Sequence, residues 1–355
     1  MLPWITIAIF ITVFVLIVFE VFDKAVLAMI GAVSMVLIGV LDFESAIHAI
    51  EFETIILLMA MMLLVEVSRE SGIFSYLTVR IAQRSKGNPL LLFLLFCGVT
   101  AFMSAFLDNV TTIVLVVPIT ATLLKGMGRD PKPYIIGEII FSNIGGAMTL
   151  IGDPPNIIIG GATGLSFNQF IINLWIPVLG SIGLIGAVFV ATHWKHHLKP
   201  ITSDLKKLFV SQLLLKQIKY RFENLYLNKA FMRKSVAVLI LIVLGFLFQS
   251  YLNLSVALIA LAGAVLLLLI AAKEANLEHS LKSIEWSTLL FFCGLFVMVG
   301  AIEHVGFLDI LSEKILNLGG DSYIVLLLAV LWISGFASMI LDNIPAFYFG
   351  TSPNK

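Results

Sequence analysis

The sequence predicts an all-α polytopic membrane protein: an inverted repeat of five spans plus a re-entrant hairpin, with broken helices and a second copy that is incomplete. Three observations predict it: an apolar composition, polar breaks inside apolar runs, and a match between the two halves of the chain. Of the 355 residues, 60% are hydrophobic and only 12% charged. A soluble domain carries about a quarter charged residues. The net charge of zero identifies no partner until the charges are assigned to loops. Cys97 and Cys293 lie in apolar runs without CxxC spacing, which excludes a disulfide framework and a zinc site. Met1-Leu2-Pro3-Trp4 lacks a basic n-region and cleavage signal, so the first apolar run is expected to be a true span.

Apolar runs of spanning type occur at residues 4–19, 25–41, 54–68, 134–163, 170–192, 235–250, 255–272 and 287–302. The run 90–124 is long enough for two passes but is interrupted by Asp108-Asn109. An ionisable residue at membrane depth is costly and is expected to face protein or a solute path. The run is therefore read as a hairpin that enters and returns on one side, with Asp108 and Asn109 at its tip. The run 134–163 is interrupted by Gly152-Asp153-Pro154-Pro155. Proline lacks an amide hydrogen and disfavours helix at the residue before it, so this is a discontinuous helix.

Charge orients the chain. Residues 193–234 hold ten Lys/Arg against Asp204 and Glu223, which assigns this basic connector to the cytoplasm. Counting back places Arg69, Arg80, Arg84, Lys86, Lys125, Arg129 and Lys132 inside as well. The acidic loop with Asp42, Glu44, Glu51 and Glu53 then lies outside. Residues 203–231 mix large apolar residues with lysines and are expected to form an amphipathic helix on the inner leaflet.

The repeat ties these features together. Glu51-Phe52-Glu53-Thr54 matches Glu285-Trp286-Ser287-Thr288 at an offset of 234, as do Gly72 with Gly306 and Leu107-Asp108-Asn109 with Leu341-Asp342-Asn343. Gly31-Ala32-Val33 matches Gly263-Ala264-Val265 at 232. Five crossings separate equivalent spans, so the second copy is inverted, the architecture of many secondary transporters. The expected organisation is residues 1–192 for the first repeat, 193–234 for the connector and 235–355 for the second. A counterpart of residues 113–192 is missing after Asp342-Asn343, so the chain is expected to be C-terminally truncated in its second hairpin.

The candidate solute or ion site draws on three stretches. Asp108, Asn109, Thr111 and Thr112 form the first tip, where side-chain oxygens and loosened carbonyls can hold a cation or a hydroxyl-bearing solute. Asn143, Gly145, Gly146 and Thr149, with Ser142, precede the break. Gly152, Asp153, Pro154, Pro155 and Asn156 make the break itself, and Asp342 and Asn343 are the second tip. The half-helix beginning near Asn156 is expected to aim its positive dipole end at the site. His193, His196 and His197 have helical spacing, but beside Trp194 and Lys195 they read as an interfacial anchor rather than a metal site. Asp309, Glu313 and Lys314 read as a solvated face. No phosphate-cradling glycine loop with lysine, no Ser/His/Asp pattern and no nucleic-acid stripe is found, so neither an enzyme nor a nucleic-acid binder is expected.

On Ser104 to Thr112, Asn143-Ile144-Gly145-Gly146, Gly152 to Asn156 and Leu341-Asp342-Asn343-Ile344-Pro345, the chain resembles the ion-transporter superfamily. That group includes arsenite permeases, NhaD sodium/proton antiporters, citrate-transporter-like proteins and the pigmentation P protein. The resemblance covers essentially the whole chain and is greatest to the compact prokaryotic members. It implies a multi-pass plasma-membrane protein, often a homodimer, with a scaffold and a moving transport domain. It further implies a small inorganic solute or ion as cargo, lipid as surroundings, sodium or a proton as coupling ion, and no cofactor. Carboxylate carriers of the group typically show Ser-Asn-Thr at their tips, whereas this chain has Asp108 and Asp342. A neutral hydroxyl solute such as arsenous acid, or cations exchanged for protons, is therefore expected ahead of citrate. The alternatives are a sodium/proton antiporter, a citrate-type carrier, a passive anion channel of the P-protein kind, and an inactive remnant.

Overall fold

The computed structural model describes residues 2–85, 88–107, 109–193, 198, 229–272, 277–307, 310, 324–328 and 331–332. Those residues contain helices and no strand. In order they are α1 (Leu2–Val18), α2 (Lys24–Leu37), α3 (Phe43–His48), α4 (Phe52–Glu70), α5 (Ile73–Ser85), α6 (Pro89–Ser104), α7 (Asn109–Gly126), α8 (Lys132–Gly146), α9 (Pro154–Thr163) and α10 (Phe167–His193). After the connector come α11 (Lys229–Leu247), α12 (Gln249–Leu252), α13 (Val256–Ala271), α14 (Leu277–Lys282) and α15 (Trp286–His304). Four of these, α7, α10, α11 and α15, are long and apolar enough to cross a membrane, and α1, α2, α6 and α13 are shorter apolar helices. Large apolar side chains stand in the open along them, among them Trp4, Leu37, Ile172, Leu184 and Leu269. A chain that exposes so much apolar helix is solvated by lipid rather than water.

The helix ends follow local chemistry. Asp23 caps α2 by accepting from Ala25 N at 2.8 Å, and Asp42 caps α3 through Ser45 N at 2.8 Å. Asn88 caps α6, with Pro89 in the first turn, where its missing N–H costs nothing. The chain divides into two compact units, one of residues 1–55 and 285–355, the other of residues 56–284. This partition by packing differs from the partition by sequence repeat, because α15, from the second half, packs with α2, from the first.

In the first unit α1, α2, α3 and α15 enclose Val13, Leu27, Ala28, Met35, Val297, Met298 and Ala301. Small residues let the backbones approach, as is usual between helices in lipid. A Cβ on Gly294 would stand 2.7 Å from the Ala28 carbonyl carbon, and one on Gly300 2.7 Å from the Ala49 Cβ.

In the second unit α6, α7 and α8 form a three-helix body, with α5 beside α6 and α10 beside α8. Phe93 of α6 is its hub: its ring stacks on Phe189 at 4.8 Å and meets Tyr134 and Phe141 edge-on at 5.8 and 6.3 Å. Elsewhere in the unit α11 packs on α13 at Gly245, where a Cβ would meet Ile259 Cγ2 at 2.7 Å. The end of α4 meets α14: Glu66 pairs with Arg69 at 2.6 Å and lies 3.7 Å from the His279 ring.

The sequence repeat has local structural counterparts. Helices α4 and α15 are both 19 residues long and start at Phe52 and Trp286, 234 apart. The six-residue α3 and α14 start at Phe43 and Leu277, again 234 apart. The N-caps Asp23 and Ser255 are 232 apart. Left-handed backbone recurs too: Glu20 and Asn253 both have φ 50°, and Gly72 and Gly306 have φ 78° and 73°. The first pair are the only non-glycine residues in that region among the described residues, and for L-residues it is sparsely occupied. The packing of the short helices repeats as well. Gly300 of α15 abuts the end of α3, and Glu66 of α4, 234 positions earlier, faces α14.

The expected spans therefore correspond to helices, and the interrupted runs divide where expected: 90–124 into α6 and α7, and 134–163 into α8 and α9. Helix α5 is an addition to the expected spans, carrying Arg80 and Arg84 among apolar residues. Of the amphipathic helix expected at 203–231, residues 203–228 lie outside the described residues and 229–231 begin α11; His196, His197, Asp309, Glu313, Lys314 and everything after 332 lie outside as well.

Candidate functional site

The site is where the turn after α6 meets the break after α8. Helix α6 ends at Ser104, and a tight turn through Ala105, Phe106 and Leu107 leads toward α7, whose first residue is Asn109. Helix α8 ends at Gly146, and residues 147–153 form the break. Pro154 holds Asp153 in extended backbone, φ −149° and ψ 137°, and the two prolines then start α9. Pro154 and Pro155 supply no N–H to the first turn and the Asn156 N–H donates to the Asp153 carbonyl at 3.0 Å, so the Asp153 carboxylate makes no cap of its own helix. It accepts instead from Asn109 Nδ2, at 3.1 Å, across from the hairpin.

Further bonds close the junction. Ser104 Oγ donates to Asn109 Oδ1. Ser142 Oγ lies 3.1 Å from Ser104 Oγ and 3.4 Å from the Asn109 carbonyl. Thr149 Oγ1 donates to the Ala105 carbonyl. Asn156 Nδ2 donates to the carbonyls of Gly146 and Thr149 at 3.1 and 2.9 Å, satisfying oxygens at the end of α8 and within the break. The amide side chains thus take the place of the helix that the prolines interrupt.

The glycines are required by proximity. A Cβ on Gly145 would stand 2.5 Å from the Ala101 Cα, one on Gly146 2.5 Å from Asn109 Oδ1, and one on Gly152 2.8 Å from the Ser104 carbonyl oxygen. Any larger residue would push the break away from the hairpin.

The structure brings together Asn109, Gly145, Gly146, Thr149, Gly152, Asp153, Pro154 and Asn156. Thr112 is fully buried one turn into α7, and its hydroxyl has no hydrogen-bond partner among the described residues. Thr111 is half-buried beside it, and Pro155 is exposed. Asn143 does not join the junction: it follows Ser142 on α8, about 100° further round the helix, and its side chain is exposed. Asp108, Asp342 and Asn343 lie outside the described residues. His193 stacks on Phe189 at 4.2 Å, the packing of an anchoring ring.

Two polar groups at the centre, Ser104 and Ser142, were less prominent in the sequence than the acids and amides around them. A third, Glu138, sits one turn before Ser142 on the same buried face of α8 and is fully buried. The sequence signal for it was a lone carboxylate within Ile135-Ile136-Gly137-Glu138-Ile139-Ile140.

Chemically, the junction offers a carboxylate, hydroxyls, amides and carbonyls, with no described Lys or Arg among its partners. Such a set suits a cation or a hydroxyl-bearing solute.

Comparison with known proteins agrees with this architecture. Residues 14–353 match the family model CitMHS, described as citrate transporter. An uncharacterized transporter of Mycobacterium tuberculosis is 34% identical over 349 residues, covering 96% of this chain and 77% of the relative. The 46 kDa membrane protein of Mycobacterium leprae is 33% identical, covering 96% and 78%. The mouse P protein is 30% identical over 410 residues, covering 96% of this chain and 49% of the P protein. With its apolar helices and this match over nearly its whole length, the chain is an integral, multi-pass membrane protein and belongs to the CitMHS citrate transporter family.

Proposed function

We propose that the protein is a secondary active transporter of the arsenite permease/NhaD type, in which a small solute and a coupling ion, sodium or a proton, bind at the junction of hairpin and broken helix. The observation that carries this reading is the bond from Asn109 to Asp153. It leaves a carboxylate, half-exposed, at a helix break in an apolar body instead of capping its own helix. Irregular backbone at membrane depth is tolerated where protein buries it or where it lines a cavity. A carboxylate held there is suited to exchanging a cation or proton.

The same carboxylate bears on the cargo. A carboxylate in the junction disfavours a bare polycarboxylate and favours a neutral solute, a cation, or an anion that arrives paired with a metal ion. That reading reconciles the family's description with the acidic site. The test is uptake by the full chain in liposomes, offered arsenite, citrate with and without magnesium, or sodium against a proton gradient. Transport that depends on Asp153 and is lost in Asp153→Asn is expected. Uptake of metal-free citrate that survives Asp153→Asn would defeat the assignment.

A further inference from the structure

Resting on the transporter reading above, we propose that Glu138 is the group that carries a proton through the transport cycle. Its carboxyl takes a proton from water on one side of the membrane and gives it to water on the other. On release the carboxyl O–H bond breaks, its electron pair remains on the oxygen as carboxylate, and water leaves as hydronium; uptake reverses each change.

Glu138 is 0% exposed, and no other described acid is so completely buried. Thr120 Oγ1 of α7 donates to its Oε1 at 2.6 Å, while its Oε2 has no hydrogen-bond partner among the described residues. Among the described residues, the elements packed on α8 supply no counter-charge. Helix α6 presents only Cys97 among titratable groups, α7 carries only Lys125 near its end, and α10 only His193 at its last residue; α8 itself has Lys132 and Tyr134 toward its start. None of these forms an ion pair with Glu138 among the described residues.

A permanently ionised carboxylate in that setting would hold one hydroxyl donor and no cation, which is the costly arrangement for a buried charge. A permanently neutral carboxyl would leave its second oxygen unsatisfied. A purely structural tie between α7 and α8 needs only Oε1. The unused Oε2 is the feature that exchange with water explains, because a buried polar atom left without a partner calls for a functional account.

The position fits. Glu138 and Ser142 share the buried face of α8, one turn or about 6 Å of rise apart. Across from them Thr112, Val116 and Thr120 share the buried face of α7, and the Thr112 hydroxyl is the second unpartnered atom on this seam. The seam therefore runs from the junction to Glu138 with unfilled hydrogen bonds at both ends.

The experiment uses the full chain in two formats. Infrared difference spectra between mildly acidic and mildly alkaline pH are recorded for wild type, Glu138→Gln and Glu138→Asp. Liposomes enclosing a pH-sensitive dye are then given magnesium citrate, arsenite or sodium chloride. A protonated-carboxyl band that titrates in wild type, vanishes in Glu138→Gln and moves in Glu138→Asp is expected. So is a probe-evoked pH signal that is lost in Glu138→Gln and retained in Glu138→Asp. Should Glu138→Gln not fold, the movement of the band in Glu138→Asp decides. A spectrum with no Glu138-dependent titration, or a dye signal unchanged by Glu138→Gln, overturns the assignment. If no probe moves in wild type, the transporter reading fails by itself, and the infrared result still decides whether Glu138 exchanges protons.

Discussion

Asn109 is the residue on which the junction closes: its amide oxygen accepts from Ser104 and its amide nitrogen donates to Asp153. Replacing it by alanine removes both bonds, one to the buried Ser104 and one to the half-buried Asp153, at about 0.5–1.5 kcal/mol for each bond lost. Asn109→Ala is therefore expected to lower the thermal midpoint in detergent and to abolish uptake, while Asn143→Ala, on the exposed side of α8, leaves the midpoint unchanged. Equal losses in the two variants would show that the amide at 109 has no special place. Gly145→Val is a steric counterpart, since its Cβ would stand 2.5 Å from the Ala101 Cα. Overpacking of this kind costs about 1–3 kcal/mol, readable as a lowered midpoint. The contrast between Ser142 and Asn143 also shows what a motif hides. The string Ser-Asn-Ile-Gly-Gly marks a polar break, but only the helical period, with Tyr134, Glu138, Ser142 and Gly145 on one face, says which residues face inward.

At the scale of elements, the prolines of α9 do more than interrupt a helix. They withhold the N–H groups that Asp153 would otherwise cap, and so present its carboxylate to the hairpin. Pro154→Ala with Pro155→Ala returns those donors. The expected result is a folded protein with an unchanged midpoint but impaired uptake, because the carboxylate can turn back to its own helix. Full uptake in this variant would contradict the role given to the prolines. The caps outside the spans give a prediction in pH. The Ala25 backbone N–H holds the Asp23 carboxyl below its ordinary value, and Ser45 does the same for Asp42. A lowered folded-state value contributes stability that is complete above the unfolded value, about 3.9, and is lost as pH falls through the folded one. Thermal midpoints are thus expected to fall under acid, and less steeply in Asp23→Asn, whose amide no longer titrates.

The elements themselves were largely legible, because long apolar runs and paired prolines are local signals. Helix α5 was not, since a helix carrying Arg80 and Arg84 looks like a basic loop until its apolar face is packed. Glu138 escaped notice for the opposite reason: its partner Thr120 is 18 residues away in sequence, and a single acid among isoleucines announces neither its burial nor its bond.

For the whole molecule, the repeated helix bounds, caps and left-handed residues parallel the internal match in the sequence. The proposed inversion is a statement about sides of a membrane. Phe22 and Leu254 are both exposed, 232 apart, in the loops that precede α2 and α13. Single cysteines there, in a chain freed of Cys97 and Cys293, are expected to react with an impermeant thiol reagent from opposite faces of sealed vesicles. Labelling from one face would remove the inversion.

In the proposed function, the hairpin and the broken helix together move a solute uphill. The direct measurement is accumulation of a transported probe by the purified chain in liposomes, against its own concentration gradient and under an imposed proton or sodium gradient. Accumulation that collapses when the ion gradient is dissipated, and that is lost in Asp153→Asn, is predicted. Probe that merely equilibrates across the membrane, indifferent to the ion gradient and to Asp153, would contradict it.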